Sequence, residues 1–289
     1  MEIGRDVKRP GWGFKYEDNA KGEMKRSIFL QIGTEEVLDF ETLLSEVRLA
    51  EELGIDGVWC FPSAGADGKW SESAAPIWLS ALANQTQRIR LGWGVPGIFS
   101  PTLPPIRVAE QAAAIDLASR GRLDLAFVPD DDIKDVEIGP WDEGIRMLVE
   151  MWAQPAFSWT SERFTVRPVD VVPKPVQHPH PPLWLAGWST EQAKRAGQGG
   201  MAFLDISGGT EETLLSNQEI YRKARADVDP KDLVSMGLVG IAIEADLTGD
   251  ARTHFDRWES LGFDEVILRT RPIEGRHEAA EKRIRFLAK

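Results

Sequence analysis

Residues 88–127 read RIRLGWGVPGIFSPTLPPIRVAEQAAAIDLASRGRLDLAF. Ile89–Val95 is a short apolar run, Pro105–Ser119 repeats its apolar residues at helical spacing, and Leu123–Val128 is a second apolar run after a Ser-Arg-Gly-Arg turn. Strand, helix and strand in that order make one unit of a parallel sheet. The same alternation extends in both directions. Candidate strands fall at Ser27–Ile32, Gly57–Phe61, Leu183–Ala186, Ala202–Asp205, Val234–Ile241 and Glu265–Arg269. Helical patterns fill the gaps at Phe40–Leu53, Glu72–Gln85, Asp142–Trp152, Thr190–Gly197, Glu211–Ala226, Gly249–Leu261 and Arg276–Leu287. Eight strands, each followed by a helix, fit one α/β domain of the (β/α)8 TIM-barrel type.

Local chemistry marks several boundaries. Gly54 and Gly262 each follow a helical pattern and precede a strand, as left-handed helix caps do. Residues 154–182 carry Pro155, Pro168, Pro173, Pro175, Pro179, Pro181 and Pro182, which break regular structure and form an insertion before the fifth barrel strand, with a hairpin expected around Phe157–Val166. Residues 1–24 are Gly-rich and charged and read as an N-terminal arm; residues 25–289 make the barrel domain.

Composition limits the function. The 289 residues are 42% hydrophobic and 28% charged, with 34 Lys plus Arg against 46 Asp plus Glu, a net charge of −12. That charge opposes nucleic acid and anionic bilayers. No run reaches the ~18 apolar residues of a membrane helix and no signal sequence is evident, so a cytoplasmic protein is expected. One cysteine, Cys60, and four scattered histidines give no metal-ligand spacing. Hydrolase elbows and phosphate loops are missing from the sequence.

A barrel of this type carries its chemistry at the C-terminal ends of its strands. Gly92 and Gly94 make the third strand unusually bare, as strands are where a ligand approaches main chain. Gly187-Trp188-Ser189-Thr190 runs from the fifth strand into a helix whose first turn offers free amides, either an anion seat or an ordinary cap with Glu191 or Gln192 nearby. Of eleven tryptophans, Trp59, Trp93, Trp184 and Trp188 fall on or just after strands, where they line a pocket or fill the core. Asp130, Asp131 and Asp132 either bind a divalent cation or form a solvated turn. His178 and His180 alternate with prolines, an arrangement poorly suited to a catalytic pair.

Residues 88–127 also resemble the bacterial luciferase-like family of flavin- or deazaflavin-dependent oxidoreductases, through the Arg-Ile-x-Leu-Gly strand, the Pro-x-Arg-x-Ala-Glu helix start and the Ser-x-Gly-Arg turn. AEELGIDGVW at 50–59, PPLWLAGWSTEQAKRAGQGG at 181–200 and GFDEVIL at 262–268 agree with it. The resemblance implies a monooxygenase-like enzyme using reduced FMN or a deazaflavin, with the ring over the Gly94–Val95 bond, often a non-prolyl cis peptide in the family. It places the phosphate at Gly187, Trp188, Ser189 and Thr190, a small organic substrate near Trp59, Ser63 and Trp93, and the proline-rich insertion at the substrate entrance. It departs from the family in two places. Pro62 and Ser63 stand where members carry an acid and a histidine, and Val128–Asp132 replaces a Gly-Arg-Gly phosphate contact. Those departures motivate the alternative of a cofactor-poor family member acting as partner subunit of an active paralogue. A homodimer is the other expected assembly, and an aspartate-bound divalent ion serving a redox-free function is a third reading.

Overall fold

Strand placement follows the apolar runs closely. The computed structural model describes residues 23–30, 40–64, 70–71, 74–96, 103–129, 139–229, 233–244, 251–269, 281–282, 284–286 and 288. Eight strands, β1 (Lys25–Leu30), β2 (Gly57–Cys60), β5 (Arg90–Pro96), β6 (Leu123–Val128), β9 (Leu183–Gly187), β10 (Ala202–Asp205), β11 (Val239–Glu244) and β12 (Glu265–Arg269), pair in that order and close back on β1. Every pairing in the ring is parallel. Helices α1 (Phe40–Glu52), α2 (Ala75–Gln85), α3 (Pro105–Ser119), α4 (Gly139–Ala153), α5 (Thr190–Gln198), α6 (Glu211–Ala226) and α7 (Ala251–Ser260) connect them. The result is a (β/α)8 barrel in one domain. Two antiparallel hairpins stand outside the ring, β3 (Ser63–Ala64) with β4 (Trp70–Ser71) and β7 (Phe157–Thr160) with β8 (Thr165–Val169). The expected N-terminal arm lies almost wholly outside the described residues.

Alternation along each strand sorts the core into two layers. Outward residues such as Val58, Leu91, Trp93 and Val95 pack under the helices. Inward residues fill the lumen, with Phe29, Trp59, Phe61 and Trp184 as its bulk. Trp59 stands edge-on to Trp184 at 6.0 Å between centroids, Phe61 stacks on Trp59 at 5.4 Å, and Phe29 stacks on Phe61 at 5.7 Å. That much aromatic volume requires small residues opposite. Gly92 and Gly94 supply the room: a Cβ on Gly92 would collide with the Trp59 indole, and one on Gly94 would lie 2.9 Å from Phe61 Cα and closer still to its ring.

The floor of the barrel is polar and paired. Glu265 Oε1 accepts from Ser27 Oγ and Trp59 Nε1, both at 2.7 Å, and Arg90 pairs with Asp124. The proline-rich insertion belongs to this end. The amides of Val176 and Gln177 donate to Asp116 Oδ2 at 2.8 and 2.9 Å, and Gln177 Nε2 donates to Asp116 Oδ1 and to the Leu123 carbonyl. Asp116 lies in the last turns of α3 and Leu123 begins β6, so this anchor sits on the face opposite the strand C-termini. The insertion therefore closes the bottom of the barrel there, and its expected place at a substrate entrance is corrected.

Gly54 and Gly262 end α1 and α7 with φ of +80° and +83°, as expected from the sequence. The start of β11 differs: the run from Val234 is apolar enough for a strand, but the amides of Val234 and Ser235 both bond the Gly200 carbonyl and the ladder begins at Val239. Ser235 Oγ accepts from the Leu183 amide at 3.1 Å, so this stretch serves as a brace under β9.

Candidate active site

At the C-terminal end of β5 a cavity of about 270 Å³ opens between the barrel, α2 and α3. Its wall includes Pro62, Pro76, Trp93, Gly94, Leu103 and Gln111, and none of its described lining residues is charged. Each element contributes for a local reason. β5 turns Trp93 outward, where it is 2% exposed and roofed by helices. Ala74, with a left-handed φ of 48°, turns the chain into α2, which carries Pro76 in its first turn. α3 begins at Pro105 after Pro104 and brings Gln111 to the cavity from its second turn. The carboxamide oxygen of Gln111 is buried and has no hydrogen-bond partner among the described residues.

The second feature of the mouth is the start of α5. Ser189 caps the helix, its Oγ accepting from the Gln192 amide at 3.4 Å, while Gln192 Oε1 accepts from the Trp188 amide at 2.8 Å and from Ser189 Oγ at 3.1 Å. This is the reciprocal Ser-x-x-Gln cap anticipated as one reading of the segment. It uses two of the donors an anion could have met. The first-turn amides of Thr190 and Glu191 have no place in the intrahelical ladder and point to the same end. Gly187 is needed for this turn, because a Cβ there would come within 2.7 Å of Gln192 Cβ.

The residues expected at the site divide into groups. Trp93 and Gly94 meet at the cavity. Val95 is fully buried on the helix side of β5. Trp59 lies in the lumen, tied to Glu265 on the floor, and is not among the described residues that line the cavity. Trp188 is half-buried against the lumen cluster, and Ser63 begins β3 beside Pro62. The expectation of bare main chain under a flat ring also needs correction: the inward side of Gly94 is covered by Phe61. The Gly94–Val95 peptide is trans, the cis peptides among the described residues being those before Pro173 and Pro179. Asp130, Asp131 and Asp132 lie outside the described residues.

Sequence reasoning did not single out Gln111, Phe61 or Glu265, and it named Gln192 only as a neighbour of the cap. Gln192 stands three residues after Ser189, a cap spacing visible in the chain. Gln111 carries no motif and becomes notable through its buried oxygen. Burial raises the pKa of the Glu265 carboxyl, with Asp124 adding to the shift and Lys25 opposing it. His180 is buried beside Trp152 and desolvation lowers its pKa to about 4, so it is neutral and remote from the mouth. A larger cleft of about 840 Å³ lies on the outer flank, lined by Ile145 of α4 and by the C-terminal ends of α5 and α6, away from the mouth.

Fit to a flavin can be judged from these groups. The α5 terminus has amide donors for a phosphate, and Phe61 with Phe29 gives an aromatic floor near the ring position. The cavity beside Gly94 supplies apolar, uncharged space. The groups present suit both ends of such a cofactor.

Comparison with known proteins places these features in context. The sequence profile of the luciferase-like monooxygenases matches residues 24–284. The oxygenase component of flavin-dependent trigonelline monooxygenase from Acinetobacter baylyi is 25% identical over 175 residues, 56% of this chain and 47% of that protein. An uncharacterized Sinorhizobium fredii protein is 28% identical over 43% of this chain and 38% of its own length. The matches thus span about half or less of those relatives. Among solved structures, monooxygenase RslO1 from Streptomyces bottropensis superposes with a TM-score of 0.72 at 20% identity, covering 92% of this chain and 98% of that one. The oxygenating constituent of 3,6-diketocamphane monooxygenase from a Pseudomonas putida plasmid, solved with FMN, gives 0.70 at 12% identity, covering 92% and 96%. An F420-dependent secondary alcohol dehydrogenase gives 0.67 at 15% identity, covering 93% and 100%. These structural likenesses speak for the shared fold.

Proposed function

Because the chain belongs to the family of luciferase-like monooxygenases, we propose that it is an oxidoreductase that binds reduced FMN, or a deazaflavin, at the barrel mouth and acts there on a small organic substrate. The observation that carries this reading is the cavity at the C-terminal end of β5, where Trp93 and Gly94 meet beside Pro62 and no described lining residue is charged. When bound, the flavin supplies the hydride or the activated oxygen. The chain's own part is positioning and shelter. The backbone amides of Thr190 and Glu191 would hold the phosphate, Phe61 and Gly94 would set the level of the ring, and Trp93, Pro62 and Leu103 would keep water from the reacting face. No titratable side chain is among the described lining residues, so these walls exclude water and orient the substrate without serving as acid or base.

Two observations favour a second reading, that of a cofactor-poor subunit of an active paralogue: Phe61 covers Gly94, and Gln192 already takes the Trp188 amide. Turnover separates them, read as oxygen uptake in the FMN arm and as oxidation of the cofactor by absorbance in the deazaflavin arm, where hydride transfer consumes no oxygen. The purified chain is supplied with FMN, a flavin reductase and NADH, and in parallel with a reduced deazaflavin and an aldehyde or ketone panel. The enzyme reading predicts protein-dependent turnover in one arm. Inactivity alone, with activity appearing on co-expression with a family paralogue and co-elution as a heterodimer, would replace it by the subunit reading.

A further inference from the structure

We infer that the cavity between β5, α2 and α3 selects an uncharged, largely apolar molecule with one polar group, held at that group by the carboxamide of Gln111. That this molecule is the substrate rests on the function proposed above; the selectivity of the cavity does not.

Three features of the wall lead to it. First, the space is about 270 Å³, at the small end for ligand sites, which suits a compact molecule of about ten non-hydrogen atoms. Second, none of the described lining residues offers a partner for a charge. Ala74, Ala75, Ile77, Leu103, Trp93 and three prolines make up most of it, and a carboxylate or ammonium moved there from water would be strongly disfavoured. The two helix starts beside the cavity would ordinarily attract an anion through their free amides. Here both are blunted by composition. Pro76 lacks an amide hydrogen in the first turn of α2 and the Ile77 amide is spent on the Ala74 carbonyl; Pro104 and Pro105 lack one at the start of α3, and the Arg107 amide is spent on Pro104.

Third, the described lining residues include one side chain, that of Gln111, that can both give and accept a hydrogen bond. Gln111 borders the cavity with its carboxamide oxygen buried and without a partner among the described residues, a state that costs stability unless a partner arrives. The terminal torsion of a glutamine turns easily, so the amide can face a ligand with either atom. A primary amide on the ligand would pair with it reciprocally, through two hydrogen bonds. A hydroxyl or carbonyl would make one.

The test uses three probes of one shape: 3-methylbenzamide, which is neutral, 3-methylbenzoate, an anion, and trigonelline, a zwitterion. Binding to the full chain is measured by calorimetry, with and without FMN. The amide is expected to bind at least tenfold more tightly than either charged probe. Gln111→Leu should weaken the amide five- to tenfold, as loss of buried hydrogen bonds does, and leave the hydrocarbon 3-ethyltoluene unchanged. Ile77→Arg changes a side chain that is 73% exposed at the cavity rim, so the fold is retained, and should raise benzoate several-fold relative to the amide. Equal binding of amide and benzoate, an amide affinity indifferent to both substitutions, or no binding of any neutral probe overturns the inference. Failure of FMN to bind while the amide series behaves as stated would instead remove the flavin reading and leave the cavity's selectivity standing.

Discussion

Gly94 and Phe61 show how one side chain changes the meaning of a glycine. In the sequence, Gly92 and Gly94 mark a strand that something approaches closely, and that inference holds. What approaches is the protein's own aromatic column. Phe61 ends the expected strand Gly57–Phe61, where alternation puts it on the face of Trp59; that it covers Gly94 depends on closing β2 against β5. Gly94→Ala is expected to destabilise the fold by about 1–3 kcal/mol through overpacking. Phe61→Leu alone should also destabilise it, yet in the double variant the two costs should add to less than their sum. Full additivity in chemical denaturation would show that the methyl group never meets the ring.

Helix α5 carries the argument for the phosphate end at the scale of an element. Its start was legible as a choice between cap and anion seat, because Ser189 and Gln192 have cap spacing and the strand before them ends in glycine. The structure shows the cap in place and leaves two first-turn amides beyond it. If those amides receive the phosphate, FMN binds more tightly than riboflavin. Thr190→Pro, which removes one of those amides at a helix position that tolerates proline, should reduce that preference about tenfold, the scale of one charge-assisted hydrogen bond, and Ser189→Ala should lower stability by about 1 kcal/mol through the lost cap. Fluorescence-quenching titrations of both flavins check this; an unchanged preference would move the phosphate elsewhere. α2 and α3 contributed what sequence reading did not foresee. Their proline-rich starts were visible in the chain, but that they flank one cavity follows from their both packing beside β5.

For the whole molecule, eight parallel strands were countable in advance because each apolar run alternates with a helical segment and most are bounded by glycine or proline. The insertion was recognised from its prolines and its hairpin was placed correctly. Which end of the barrel it covers was not legible, since that depends on the contact of Gln177 with Asp116 across 61 positions of sequence. His180 in this segment gives the molecule a predicted pH response. Its pKa falls from 6.5 to about 4 on folding because burial disfavours the charged ring. Above pH 6.5 it is neutral in both states and contributes nothing. As pH falls from 6.5 toward 4 the unfolded chain takes up a proton that the fold refuses, which costs up to about 3 kcal/mol. His180→Phe should therefore flatten the loss of stability between pH 6.5 and 4 relative to the native chain. Parallel pH profiles for the two proteins would place the acid sensitivity elsewhere.

The barrel, the cavity beside Gly94 and the α5 terminus together make a flavin site in this account. Equilibrium titration of the full chain with FMN and with a deazaflavin, followed by difference absorption, tests it most directly. The account predicts saturation by at least one of them in the micromolar range, with spectral shifts of a ring leaving water for an aromatic surface, and weaker saturation in Gly94→Ala. An unperturbed spectrum for both cofactors up to millimolar concentration would contradict it.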